Sequence, residues 1–153
     1  MERNQALTNN RGKNMKVYLK QVDRYALVAR GESNHWVSID DDVDGWVPSA
    51  SSPMELMLMS IAACSAMDVI SILEKRRVNF TDLVIEVNGD RREEYPRIFT
   101  AIHLKYIVSG RGIKSKDVDR AIKLSEDKYC SAIGMVKDTA KMSSEYVIEA
   151  IEN

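Results

Sequence analysis

Residues 53–77 read PMELMLMSIAACSAMDVISILEKRR. Ser49 to Ser52 supply small residues ahead of Pro53, whose fixed backbone angle suits a first helical turn. From Met54 to about Arg77 the apolar residues fall on almost every side of the expected helix, and no wide polar stripe opens before its last turn. A helix of that kind is buried all round. In a chain of 153 residues this requires either a sheet wrapped around it or a second subunit against it. Ser60, Ala62, Ala63, Ser65 and Ala66 are small enough to let another helix come close, so a dimer is expected. A spanning helix needs roughly 20 predominantly apolar residues. Glu55 and Asp68 interrupt this run and Glu74 to Arg77 follow it, which favours a core helix over a membrane segment.

Short β-type runs precede the helix. Lys16 to Val22, Tyr25 to Arg30 and His35 to Ile39 are separated by turn-forming residues and predict an antiparallel meander. Two longer strands are predicted after the helix, at Asp82 to Asn88 and Ile98 to Val108, joined by a charged turn. Ser115 to about Tyr129 predicts a helix, Cys130 to about Lys137 a short one, and Glu145 to Ile151 a final strand. The order is βββ-α-ββ-α-α-β, an α+β class. Residues 1–15 are polar and read as a flexible leader, with one domain over 16–153.

Composition narrows the function. An apolar content of 44% with 29% charged residues is globular rather than disordered. A net charge of −1 gives no electrostatic case for nucleic acid or an anionic membrane. Two cysteines are too few for a secreted disulfide scaffold, and the first residues hold no apolar signal core, so the expected location is cytoplasmic. Asp40 to Asp44 reads as a solvated loop, because its Gly45 does not fit a calcium-binding helix–loop–helix. His35 and His103 lack metal-ligand spacing with the cysteines, and no metal site is expected.

The two thiols carry the chemistry. Cys64 lies in the middle of the long helix, and Cys130 opens another helix. A cysteine in a core helix is by default an inert small hydrophobe. A pair, each on a structured element, invites a dithiol/disulfide reading.

Ser52-Pro53-Met54-Glu55-Leu56, then Ala62-Ala63-Cys64-Ser65-Ala66, a hairpin and Lys128-Tyr129-Cys130 resemble the OsmC/Ohr family of osmotically inducible and organic-hydroperoxide-resistance proteins. Arg91-Arg92-Glu93-Glu94, Pro96 to Thr100 and Ser125 to Cys130 resemble its YhfA-like branch. The resemblance covers about residues 16 to 151. It implies an intertwined homodimer, with two-layer antiparallel sheets wrapped around a central long helix. It also implies a thiol-dependent peroxidase that acts on organic hydroperoxides and needs no metal or organic cofactor. Cys64 would attack the peroxide and become a sulfenic acid. Cys130 would condense with it to a disulfide, and an external dithiol, often a lipoyl group in the family, would restore both. The family supports its thiolate with an arginine from the first hairpin, held by a glutamate at the start of the cysteine helix. That glutamate usually follows the proline directly; here Met54 takes that position and the glutamate is Glu55, with Arg24 as the arginine. Asp68, one turn beyond Cys64, would oppose a thiolate unless it is paired. The alternative is a non-catalytic ligand-binding or redox-sensing protein on the same scaffold.

Overall fold

The computed structural model describes residues 14–43 and 45–151; most of the expected leader and Asp44 lie outside them. Strands β1 (Tyr18–Asp23), β2 (Ala26–Arg30) and β3 (Trp36–Ile39) come first, then helix α1 (Pro53–Lys75). Strands β4 (Phe80–Arg91) and β5 (Phe99–Gly110), helix α2 (Ser115–Leu124), a π-helical turn at Ser125–Tyr129, helix α3 (Ser131–Val136) and strand β6 (Lys141–Ala150) complete the chain. The chain forms two compact units, divided between Leu56 and Met57.

The first unit holds an antiparallel sheet in the order β1-β2-β3. Among the described residues it has almost no core of its own. All of β1 is exposed, and Tyr18, Leu19 and Val22 are accessible together with Trp36 and Val37 of β3. The loop after β3 is better satisfied than its acidic composition suggests. Asp40 is buried rather than solvated, because its carboxylate accepts from the Trp46 indole at 2.8 Å and from the backbone N–H groups of Asp41 and Ser49. These bonds, the indole first, hold its carboxyl below the usual range.

The second unit is built on β5. Ile102, Leu104, Tyr106 and Val108 point inward and are buried, the period of two that a half-covered strand requires, and Phe99 is buried beyond the register irregularity at Asp90/Arg91. Each such side chain contributes roughly 1.5–3 kcal/mol by leaving water. β4 pairs with β5 antiparallel, but β6 pairs with it in parallel, which corrects the expected all-antiparallel sheets. The cause is connectivity: α2, the π-helical turn and α3 lie between β5 and β6, and a crossover of that length returns the chain in the same direction. β6 also begins at Lys141, four residues before the predicted start.

Helix α1 buries one stripe, Ile61, Ser65, Val69 and Leu73, spaced four residues apart. Sheet packing is close beside it: a Cβ at Gly89 would sit 2.6 Å from the Phe99 ring and 3.1 Å from Leu58. Burial on all sides does not hold within the single chain. Met59 is 50% exposed and Met67 71%, with Ala63 exposed between them. The helix is long and apolar enough to cross a membrane by composition, but its Ile61–Leu73 stripe packs as the core helix of a folded unit.

Candidate functional site

The helix predicted over Ser115–Tyr129 breaks at Ser125, where the chain widens into a single π-helical turn. Such turns often occur at functional sites. The widened turn ends at Cys130, whose N–H donates to the Ser125 carbonyl at 2.8 Å. Cys130 is therefore the N-cap of α3 rather than its first residue, and its sulfur accepts from the Ile133 N–H at 3.5 Å. A helix N-terminus by itself favours a thiolate. Burial outweighs that bond and pushes the Cys130 thiol up to about 11, with the neighbouring Cys64 adding to the rise.

Cys64 is half-buried on α1 next to the inward stripe. Its sulfur, the Cys130 sulfur and a carboxylate oxygen of Asp68 all lie within 4.8 Å of one another. The fold thus brings together two thiols 66 positions apart in the chain. Three donors at that spacing fall within reach of a divalent ion, and one of them, Asp68, also accepts from the Ser125 hydroxyl at 3.1 Å. The arrangement suits dithiol chemistry, and no metal role is assigned to it.

The other two expected site residues lie in the first unit. Glu55 forms a capping box with Ser52. Its carboxylate accepts from the Ser52 N–H at 2.7 Å and from the Ser52 hydroxyl at 2.8 Å, while the Glu55 N–H donates back to that hydroxyl at 3.3 Å. These bonds hold its carboxyl below the usual range. Arg24 occupies the β1–β2 turn with a left-handed φ of 39°, is exposed, and sets its guanidinium 5.4 Å from the centre of the Trp46 ring. Each has a local structural partner.

A polar chain behind the thiols escaped the sequence reading. Ser65, fully buried, contacts the Tyr106 hydroxyl at 2.7 Å and the Ser125 hydroxyl at 2.9 Å. The Tyr106 hydroxyl is hydrogen-bonded to one carboxyl oxygen of Glu126 at 3.3 Å, and Ser144 donates to the other oxygen at 3.2 Å. Burial drives the Tyr106 phenol well above its ordinary range and raises Glu126 as well. Ser65 had a signal, as the one hydroxyl in a stripe of Ile61, Val69 and Leu73; Tyr106 and Ser125 had none. Beside Asp68 a pocket of about 340 Å³ opens, lined also by Ile72, Lys75, Arg76, Arg120, Leu124 and Tyr129.

Comparison with known proteins agrees with this architecture. The family model for OsmC-like protein matches residues 47–145, a span that includes both thiols and the whole polar chain. Protein YhfA of Escherichia coli K12 is 38% identical over 136 residues, covering 89% of this chain and 99% of its own. The crystal structure of a hypothetical protein from Aquifex aeolicus has a TM-score of 0.82 at 29% identity, covering 92% of this chain and 99% of the other. OhrB, the organic hydroperoxide resistance protein of Bacillus subtilis, shares the fold, with a TM-score of 0.60 at 13% identity over 88% of this chain and 98% of its own. With a long cysteine-bearing helix beside a mixed sheet, and a relative matched almost end to end, the chain belongs to the OsmC family, in its YhfA-like branch.

Proposed function

We propose that the protein is a thiol-dependent peroxidase that reduces organic hydroperoxides. The observation that carries this reading is the placement of the Cys64 and Cys130 sulfurs within 4.8 Å of each other. A small local shift would bring them to the bonding distance of about 2.05 Å. The Cys64 thiolate attacks the terminal peroxide oxygen, the O–O bond breaks, the alkoxide takes up a proton from solvent and leaves as the alcohol, and the sulfur is left as a sulfenic acid. Cys130 then forms the S–S bond, and the sulfenic oxygen leaves as water with the proton from the Cys130 thiol. An external dithiol, a lipoyl group being the candidate, reduces the disulfide and is itself oxidised. OhrB is named for organic hydroperoxide resistance, which supports a peroxide-related role for this scaffold.

The active form in this proposal is a homodimer. Met59, Ala63 and Met67 recur every four residues and leave an apolar stripe of α1 open in the single chain, the face a second copy would cover. Glu55 and Arg24 are retained as candidate supports for the Cys64 thiolate, to be tested by Glu55→Gln and Arg24→Ala. A cytoplasmic location suits two unpaired cysteines. The second reading, a ligand-binding or redox-sensing protein without turnover, is favoured by Asp68, a carboxylate set against both thiols.

Steady-state consumption of cumene hydroperoxide with dihydrolipoamide separates the two. The peroxidase reading expects turnover that vanishes in Cys64→Ser and that stalls, or depends on a small thiol, in Cys130→Ser. No turnover above background in the wild type selects the second reading.

A further inference from the structure

Asp68, Ser125, Ser65, Tyr106 and Glu126 make an unbroken line of oxygen contacts: 3.1 Å, 2.9 Å, 2.7 Å and 3.3 Å in turn. These are four links between five side chains. With both carboxyls ionised, the line contains only three hydrogens, one on each hydroxyl. Three hydrogens cannot fill four links, and two oxygen lone pairs facing each other in a buried site are unfavourable. Ser65 and the Ser125 side chain are sealed from solvent, so water does not supply the missing hydrogen along that stretch.

We propose that this line is a proton relay that holds one hydrogen more than its hydroxyls supply, and that it lends that hydrogen to Asp68 when the adjacent thiol pair ionises. Two arrangements satisfy every link. In the first, Glu126 carries the hydrogen and donates to Tyr106, Tyr106 to Ser65, Ser65 to Ser125, and Ser125 to ionised Asp68. In the second, Asp68 carries it, every donor is reversed, and Glu126 is the ion. The two differ by the shift of one hydrogen across each link, so no bond other than O–H is made or broken.

The consequence falls on Cys64 and Cys130. A carboxylate within 4.8 Å of both sulfurs opposes a thiolate, whereas a neutral carboxyl does not. The second arrangement places the negative charge at Glu126, at the far end, where the Ser144 hydroxyl also donates to it. The half-buried Glu126 is the end where the hydrogen is stored, its carboxyl being raised mainly by burial. The other charged groups facing the relay are few. Asp127 acts on Glu126, while Lys75, Arg76 and Arg120 line the pocket that Asp68 borders, Arg76 being paired with Asp117. The value of the relay to catalysis rests on the peroxidase reading; its existence does not.

The test therefore reads thiol ionisation rather than turnover: the pH dependence of Cys64 alkylation by iodoacetamide, followed by peptide mass spectrometry. Glu126→Gln keeps a donor to Tyr106 but has no hydrogen to lend, so Asp68 stays ionised and the alkylation midpoint rises by about one pH unit. Tyr106→Phe cuts the line and raises it similarly. Asp68→Asn lowers it, and adding either other substitution to Asp68→Asn then moves it no further. Simple removal of a negative charge at Glu126 would lower the midpoint, the opposite sign. A midpoint that is unmoved or lowered in Glu126→Gln, or a shift that persists in the Asp68→Asn background, overturns the relay. All three replacements are close to isosteric, and matching circular dichroism identifies any variant whose shift comes from unfolding.

Discussion

The two sheets of this protein have the same number of strands and opposite relations to water. In β4-β5-β6 the central strand buries every second side chain from Ile102 to Val108, and α1 supplies the stripe from Ile61 to Leu73. In β1-β2-β3 the large apolar side chains Tyr18, Leu19, Val22 and Trp36 are all more than half exposed. The second unit makes its own core; the first has strand chemistry but little to bury. A three-stranded sheet without a covered face is marginal in water. The contrast also locates the expected catalytic parts. The thiols sit in the self-sufficient unit, while Glu55 and Arg24 belong to the other.

Four perturbations act on this contrast. Leu73→Ala, in the sealed stripe, should cost about 2–5 kcal/mol in urea unfolding, because the cavity left is lined by a rigid core. A loss below about 1 kcal/mol would mean that the stripe can collapse and that the second unit is not so well packed. Ala63→Phe overpacks the open face of α1 and should weaken the proposed homodimer by about 1–3 kcal/mol, seen by sedimentation. An unchanged dimer would place the contact elsewhere. Leu19→Ala asks whether a second copy covers the first sheet: coverage expects a loss of about 1–2 kcal/mol with a midpoint that depends on protein concentration. A change within about 0.5 kcal/mol leaves that sheet in water.

The smallest effect concerns pH. The Asp40 carboxyl is depressed in the folded protein, chiefly by the Trp46 indole. Its ion thus stabilises the loop in full above the unfolded carboxyl pKa, and the contribution is lost as pH falls through the lower, folded value. Acid titration followed by tryptophan fluorescence should show this step in a Trp36→Phe protein and lose it when Asp40→Asn is added. The same step in both proteins would assign it to another carboxyl.

Periodicity made the element order legible, because α1 and β5 bury continuous faces whose patterns differ in period. It could not reveal the direction of β6, which depends on what the chain does between strands, nor the break at Ser125, since Ser125 to Tyr129 fits a helical pattern in either geometry. Cys64 and Cys130 were legible as a candidate dithiol from their places on structured elements, and their separate roles only through the family resemblance. The Glu126 end of the polar chain was not legible at all: its acid looks like any surface glutamate until Tyr106 and Ser144 are placed beside it. Asp40 misled for the converse reason, being one acid in a run of acids but buried, unlike Asp41 and Asp42.

The most direct measurement is peptide mass spectrometry after treating the reduced protein with one equivalent of cumene hydroperoxide. The peroxidase reading predicts a Cys64–Cys130 disulfide in the wild type and a sulfenic acid trapped at Cys64 in Cys130→Ser. Both cysteines recovered as free thiols, or oxidation confined to Cys130, would contradict it.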